Sequence, residues 1–345
     1  MAIIEETTEG DSPSVILARS RDLVTPALRA AVDTLPPAVR RIAAYHFGWC
    51  DENGVQGHAD SGKAIRPTLA LLAAEAVGGT TESGVPAAVA VELVHNFSLL
   101  HDDIMDGDRT RRHRPTAWTV FGANPSILAG DALLTLAMDV LAASGHEAAQ
   151  DGTRMLSTAV LDLINGQAAD LDFETRHDVD LAECVRMVEG KTGALLGCAS
   201  ALGAVFGGDR TRAESLRRFG VFFGTAFQHV DDLLGIWGSP EVTGKSIHSD
   251  LRSRKKSLPV VAALRSGTPA GRELATLYLR ERSLSDIELV RAAELVDAAG
   301  GREWSRAQAD TLLLRALNEL QGTGLVERPA GELGALARFA IQRDH

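Results

Sequence analysis

The sequence predicts an all-α protein. Apolar residues recur at three- and four-residue spacing over most of the chain, and short β-branched runs joined by two-residue turns are nearly absent. The breaks between apolar stretches are short and rich in Gly, Pro or polar residues. Roughly ten or more helices in a single large bundle around an internal space follow from that pattern. Residues 1 to 13 carry charge and small polar side chains without an apolar period and read as a flexible tail, leaving 14–345 as one domain. Helical stripes begin at Val15. Leu93, Val94, Phe97, Leu100 and Ile104 form one clear stripe, and others run through Ile127 to Leu141, Leu156 to Leu171, Leu216 to Leu234, Ile287 to Val296 and Thr311 to Leu320. Breaks fall at Pro36-Pro37, Asp51 to Gly62, Gly78-Gly79, Thr110 to Pro125, Gly207-Gly208, Gly238 to Ser257 and Gly300-Gly301. None is long enough to read as a domain linker, and no fixed-period repeat is present.

The 345 residues include 46 acidic and 35 basic side chains, a formal charge of −11. That balance argues against nucleic-acid or anionic-membrane partners. The start of the chain is acidic where a secretory signal needs a basic start and an apolar core, so a cytoplasmic protein is expected. The longest uncharged stretch, Thr192 to Gly208, has 17 residues and reads as a buried helix, because a bilayer span needs about 20 apolar residues. Cys50, Cys184 and Cys198 lack paired spacing, which suits a reducing compartment and suggests no thiol or zinc chemistry.

Two acidic clusters interrupt the apolar helices. Asp102, Asp103 and Asp106 follow the apolar run Val91 to Leu100, and at about 3.6 residues per turn they fall within about 100° of one another. A solvated acidic face is the ordinary reading of such a triplet, but here it continues a core-like stripe. Gln228, Asp231 and Asp232 sit among Phe222, Phe223, Phe227, Val230, Leu233, Leu234 and Ile236. Charges among so many apolar neighbours need a partner. Carboxylate oxygens without paired His or Cys suit a hard cation, and Mg²⁺ is held by a few carboxylates together with substrate phosphate oxygens.

Cations that could meet phosphate lie in the adjoining loops. Gly62-Lys63-x-x-Arg66-Pro67 opens a helix, Arg111-Arg112 follows the first acidic cluster, and Lys191-Thr192 and Gly244-Lys245 come from later segments. Each alone is an ordinary surface feature. Their occurrence with both acidic clusters is what distinguishes them.

From about Leu17 to His345 the chain resembles the trans-isoprenyl diphosphate synthase, or polyprenyl synthetase, family. The matching stretches are Gly62 to Pro67, His95 to Arg112 with its Asp-Asp-x-x-Asp, Gly166-Gln167-x-x-Asp170, Lys191-Thr192-Gly193, Gln228-x-x-Asp231-Asp232, and Gly244-Lys245 with Lys255-Lys256-Ser257. The resemblance implies that the internal space is a deep central cavity, and that the protein is an all-α homodimer that condenses isopentenyl diphosphate with an allylic diphosphate to a short all-trans product, with three Mg²⁺ per active site. It places Asp102, Asp103, Asp106, Asp231 and Asp232 at the metals, with Gln167 and Asp170 behind them. Arg111, Lys191, Lys245 and Lys255 fall at the allylic diphosphate, and Lys63, Arg66, His95 and Arg112 at isopentenyl diphosphate. Thr192 and Gln228 would stabilise developing positive charge through their oxygens.

One position departs from the family pattern: a third Asp is usual four residues after Asp231, and Gly235 stands there. Tolerance of the change is the preferred reading, and a different reaction on the same scaffold the competing one. The family's cavity floor, five residues before the first Asp, corresponds to Phe97 beside Ser98, implying C20 products ahead of C15. A helical wheel by itself separates Phe97 from Asp102 by about 140° and favours Ser98 or Leu99 as the floor.

Three other functions compete. A terpene cyclase would not need Lys63, Arg66 and His95, and a non-catalytic diphosphate-binding subunit would not need the intact first acidic cluster. A di-iron carboxylate bundle would use Glu92-x-x-His95 and Glu174-x-x-His177, and leaves the Asp clusters and lysines unexplained.

Overall fold

The computed structural model describes residues 11–57, 62–239, 247–280 and 282–342. The expectation of a tail over residues 1 to 13 therefore lies almost wholly outside the described residues, and so does Lys245.

Helices dominate the described residues: α1 Pro13–Asp33, α2 Pro37–His46, α3 Ile65–Ala76, α4 Thr81–Met105, α5 Ala117–Phe121, α6 Ala123–Ala142, α7 Ala149–Thr175, α8 Leu181–Val188, α9 Ala194–Phe206 and α10 Ala213–Trp237. Further helices are α11 Ser249–Arg252, α12 Leu258–Arg265, α13 Pro269–Tyr278, α14 Asp286–Ala298, α15 Gly301–Leu320 and α16 Glu327–Ile341. Each apolar stripe in the sequence lies on one of these helices, and the uncharged stretch from Thr192 is largely the buried helix α9.

The described chain forms two compact units. The first takes the chain up to Thr158 with Cys198–Arg217 and Leu320–Leu336, and the second takes Ala159–Gly197, Arg218–Glu319 and the chain from Ala337. The divisions fall within helices rather than in linkers.

In the first unit α4 packs between α3 and α6. Its apolar stretch Ala87 to Val91 has almost no solvent exposure, which fixes the helix that ends in the first acidic cluster. Both α4 and α6 are long and apolar enough to cross a bilayer, although 67% of the relevant stretch of α4 is buried inside the protein. In the second unit α12 joins two apolar clusters. Val260 and Ala263 pack with Ile236, Leu251, Leu274 and Leu289, whereas Leu258 and Val261 pack with Phe173, Met187 and Val188.

Three local features depart from the sequence reading. Residues Thr110–Arg111 and Arg114–Pro115 form a two-stranded antiparallel hairpin, although no strand is expected there. Its two turn residues, Arg112 and His113, have φ of 50° and 60°. Such hairpin turns favour Gly or Asn, so the residue types hid this one. Glu189–Gly193 is a π-helical turn between α8 and α9. The expected break from Thr110 to Pro125 also contains the short helix α5, directly after the hairpin.

Candidate active site

In the first unit the acidic cluster occupies the last turn of α4, and Asp106 is its C-cap. A helix C-terminus carries partial negative charge, so three carboxylates there are unfavourable without cations, and the last turn of α4 holds no basic residue. The cluster does not share one exposure. Asp103 is buried, Asp102 half-buried and Asp106 exposed. Arg111, delivered by the hairpin, donates from Nε to Asp103 Oδ1 at 2.7 Å, and its second terminal nitrogen also lies 2.7 Å from that oxygen. Burial pushes the Asp103 carboxyl up to about 6 despite the Arg111 charge. Asp103 thus acts inward, as the anchor of Arg111.

The strained hairpin turn also sets Arg112 against the Gly62 loop. A Cβ on Gly62 would lie 2.6 Å from an Arg112 terminal nitrogen, so a side chain there would displace the guanidinium. Gly62 itself has φ of 93°, a conformation suited to glycine. Its carbonyl accepts from an Arg21 terminal nitrogen at 3.0 Å, tying the loop to α1. Lys63 is exposed and Arg66 half-buried at the start of α3. Burial, then the charges of Arg66, Arg112 and Arg111, hold the His95 imidazole well below its ordinary value. The structure thereby gathers Arg66, His95 and Arg112 with His46, whose imidazole is lowered to about 3 by burial and by Arg112 and Arg111, while Lys63 adjoins Gly62 in the facing loop. Sequence reasoning missed His46 and Arg21, since neither lies in a recognisable motif.

In the second unit backbone contact positions the site. A Cβ on Gly166 of α7 would lie 2.3 Å from Lys191 N, and one on Gly190 would lie 2.8 Å from Asp162 O. Only glycines let the π turn approach α7 this closely, and π turns recur at functional sites. The turn presents Lys191 and Thr192 one after the other. Lys191 Nζ donates to Asp170 Oδ2 at 2.6 Å, so Asp170, expected from the sequence behind the metals, orients this lysine. Burial works to raise the Asp170 carboxyl, but Lys191 and Lys255 together hold it below its ordinary value. Gln167, one turn earlier on α7, is buried.

Thr192 Oγ1 donates to Gln228 Oε1 at 2.9 Å, and Gln228 Nε2 donates to Asp232 Oδ1 at 2.8 Å. The backbone N–H of Leu258, at the start of α12, donates to Asp232 Oδ2 at 2.9 Å. Asp232 is consequently an internal anchor, and Asp231 is the half-buried member of the pair. Burial raises the Asp232 carboxyl to about 6, with Lys255 lowering and Asp250 raising it. Asp250 therefore belongs to this electrostatic environment, although the sequence reading did not single it out. Lys256 turns the other way, with Nζ donating to Glu174 O at 3.2 Å.

The donor set fits Mg²⁺: oxygen ligands on two acidic clusters, each backed by lysine or arginine that could meet phosphate. Among the described residues no three carboxylate, imidazole or thiol groups form a ready-made metal cage. The di-iron alternative loses its basis, because α7 ends at Thr175 and His177 lies beyond it, off the helix of Glu174. Glu92 is already engaged, accepting from Asn96 Nδ2 at 2.9 Å. The three cysteines are buried free thiols, and burial pushes Cys198 up to about 12.

Phe97 is buried on α4, and its ring meets His101 edge-on at 4.9 Å between centroids. His101 Nε2 lies 3.0 Å from the carbonyl of Ile127 on α6. Ser98, half-buried, donates to His95 O at 2.9 Å.

Together these features set two acidic clusters and fixed arginine and lysine side chains on an all-α scaffold. The chain belongs to the polyprenyl synthetase family, whose match spans residues 49–295. It is 47% identical to a (2E,6E)-farnesyl diphosphate synthase of Mycobacterium tuberculosis over 332 residues, 95% of this chain and 92% of the relative. It is 43% identical to a geranylgeranyl diphosphate synthase of the same organism, over 97% of this chain and 95% of the relative. The crystal structure of a polyprenyl synthetase from Streptomyces coelicolor superposes with a TM-score of 0.92 at 50% identity, covering 96% of this chain and 100% of that one.

Proposed function

We propose that the chain is a Mg²⁺-dependent prenyltransferase that condenses isopentenyl diphosphate with an allylic diphosphate to an all-trans C20 or C15 prenyl diphosphate. The observation that carries this reading is the chain Thr192–Gln228–Asp232 beside the Asp170-oriented Lys191, which sets a cation and two polar oxygens in fixed order. Relatives of similar identity are named for C15 and C20 products, so both lengths fit.

Asp102, Asp106 and Asp231 would hold Mg²⁺, with Asp103 and Asp232 anchoring the residues around them. Bound Mg²⁺ supplies neutralisation of charge on the leaving diphosphate, up to three ions being expected per site. Lys191, Lys245, Lys255 and Arg111 stabilise the remaining oxygens, so the allylic C–O bond ionises without a protein nucleophile. Because the Thr192 proton is committed to Gln228, the hydroxyl lone pairs are available to the allylic cation. Lys63, Arg66, His95 and Arg112 hold isopentenyl diphosphate, whose double bond attacks the cation, and proton loss restores the alkene. Retention of that second diphosphate set distinguishes a synthase from a cyclase.

Supporting a homodimer, α6 exposes Ile127 and Leu128. The buried free thiols accord with a cytoplasmic setting.

The test is purified protein with Mg²⁺, labelled isopentenyl diphosphate and a panel of allylic diphosphates, with products resolved by chromatography. Asp102→Ala is expected to lose about 10³-fold or more in turnover. Near-normal turnover in that variant, or full activity in excess chelator, would falsify the reading. The same assay addresses Phe97. Phe97→Ala should admit at least one further five-carbon unit and Ser98→Phe should shorten products, and unchanged products in both would remove the basis for C20 over C15.

A further inference from the structure

Lys63 stands between two backbone positions that are held from opposite sides. Gly62 and Ala64 both have left-handed backbone, with φ of 93° and 53°. For Ala64 that conformation is strained, and strained residues persist where the surrounding structure holds them. On the α3 side the holding group is local. The Ala64 carbonyl accepts from the Thr68 N–H at 3.1 Å and from Thr68 Oγ1 at 2.7 Å, and Thr68 is fully buried. On the other side the holding group is distant in sequence: Arg21 of α1, 41 positions earlier, donates from a terminal nitrogen to Gly62 O at 3.0 Å.

The setting of Arg21 suits it to this duty. Its Nε is shut off from solvent and has no hydrogen-bond partner among the described residues. Its side chain lines a small cavity with Ala64, Pro67 and Glu92, behind the loop and the start of α3. A bond from a cationic donor partly withdrawn from water is of the stronger kind. The helix that carries it is itself tied down: two residues before Arg21, Arg19 donates to Glu332 Oε2 of α16 at 2.6 Å, and Glu332 is buried. Gly62 in turn packs against Arg112, which a Cβ at that position would displace. A shift of Gly62 would therefore move Lys63 and release Arg112 together.

We infer that Arg21 is a positioning residue for isopentenyl diphosphate: from α1 it holds the Gly62 carbonyl, and through that carbonyl it fixes the placement of Lys63 and Arg112. The inference rests on the reading of Lys63, Arg66 and Arg112 as the isopentenyl diphosphate site. Arg21 bonds to the loop backbone and acts through the cations beside it, so its loss should loosen the loop before any substrate is present.

Variants of the full chain test this. Arg21→Met keeps most of the side chain's length and removes its donors. Arg29→Met is the control, because Arg29 lies on the same helix but stacks over Trp49, 4.7 Å from its ring centroid. Two quantities are read. One is hydrogen–deuterium exchange of the Gly62 to Arg66 backbone in the substrate-free chain, and the other is steady-state kinetics with isopentenyl diphosphate varied at saturating allylic diphosphate and Mg²⁺. Arg21→Met should speed exchange of that segment about ten-fold and raise KM for isopentenyl diphosphate about ten-fold, with kcat within about two-fold of the parent. Arg29→Met should move none of these by more than about two-fold, since it leaves the loop bond in place. A raised KM with unchanged exchange would show Arg21 meeting the diphosphate directly and overturns the positioning role. Faster exchange with unchanged KM makes the bond merely structural and overturns it as well, as does an Arg29→Met variant that reproduces both changes. Should Arg21→Met not fold, Arg21→Lys, with one ammonium on a shorter reach, is read by the same two measures and the same outcomes. If the parent itself consumes no isopentenyl diphosphate with any allylic diphosphate, the reading of the site fails and takes this inference with it, whereas an active parent and an unaltered Arg21→Met overturn this inference alone.

Discussion

Two places in the molecule handle charge in opposite ways, one beside the hairpin of the first unit and one beside the π turn of the second. In the first, guanidinium and imidazole groups collect around the hairpin: Arg66, Arg111 and Arg112, with His46 and His95 held neutral among them. In the second, carboxylates dominate: Lys191 and Lys255 act on Asp170, while Lys255 and the neighbouring Asp250 act in opposite senses on Asp232. The means of positioning differ as well. The first unit relies on a turn whose non-glycine residues adopt positive φ, and the second on glycines that bring backbones together. A group that only has to be bound can be met by fixed cations. A bond that has to ionise requires charge to be neutralised as it develops, which suits carboxylate-held metal and an oriented lysine.

On that contrast, substitutions at Lys191 and among the hairpin cations should separate kcat from KM. Of the two, the larger effect is expected at Lys191→Met, which removes the cation that Asp170 orients. Turnover should fall about 10²- to 10³-fold with KM for isopentenyl diphosphate little changed, as for other interactions made mainly in the transition state. A variant whose KM rose while kcat held would place Lys191 in simple binding and erase the contrast. The next effect belongs to Arg112→Met. Here KM for isopentenyl diphosphate should rise about 10- to 100-fold, with kcat at saturation within a few-fold of the parent. Steady-state kinetics with each substrate varied in turn reads both outcomes, and a dominant fall in kcat for Arg112→Met would show that the cationic unit also takes part in ionisation.

How much of this could be read beforehand follows from what each feature depends on. The helices were legible because their apolar stripes are long, and α4 and α10 lie where Leu93 to Ile104 and Leu216 to Leu234 placed them. Candidate site residues in contiguous motifs could be named from the sequence too, but the pairing of Asp170 with Lys191 across 21 positions was not among its readings. Less legible was the orientation within a motif. The helical wheel grouped Asp102, Asp103 and Asp106, yet α4 ends at that point and Arg111 draws Asp103 inward. The hairpin was hidden because Arg112 and His113 are not turn-forming residue types. Arg21 was invisible for a different reason: its partner is a backbone carbonyl 41 positions later, which no residue type signals, and only three dimensions bring them together.

The smallest expected effect tests whether neutral imidazole really marks the cationic unit, and it is read in stability rather than in catalysis. An unfolded histidine titrates near 6.5. In the folded chain burial and the neighbouring Arg112 and Arg111 hold His46 at about 3, with its Nε2 shut off from solvent. A lowered imidazole means that the folded state resists a proton the unfolded state accepts. The neutral form therefore supports folding fully above about pH 6.5, and that support is lost as pH falls toward 3. The loss is about 1.4 kcal/mol per pH unit below 6.5, or about 2 kcal/mol at pH 5. His46→Gln has no proton to take up in that range. Chemical denaturation from pH 7.5 to pH 4.5 should show the parent losing stability more steeply than the variant, whatever their difference at pH 7.5. Two profiles that run parallel through that window would mean that His46 is not held neutral, and the cationic character assigned to the first unit would rest on its arginines alone.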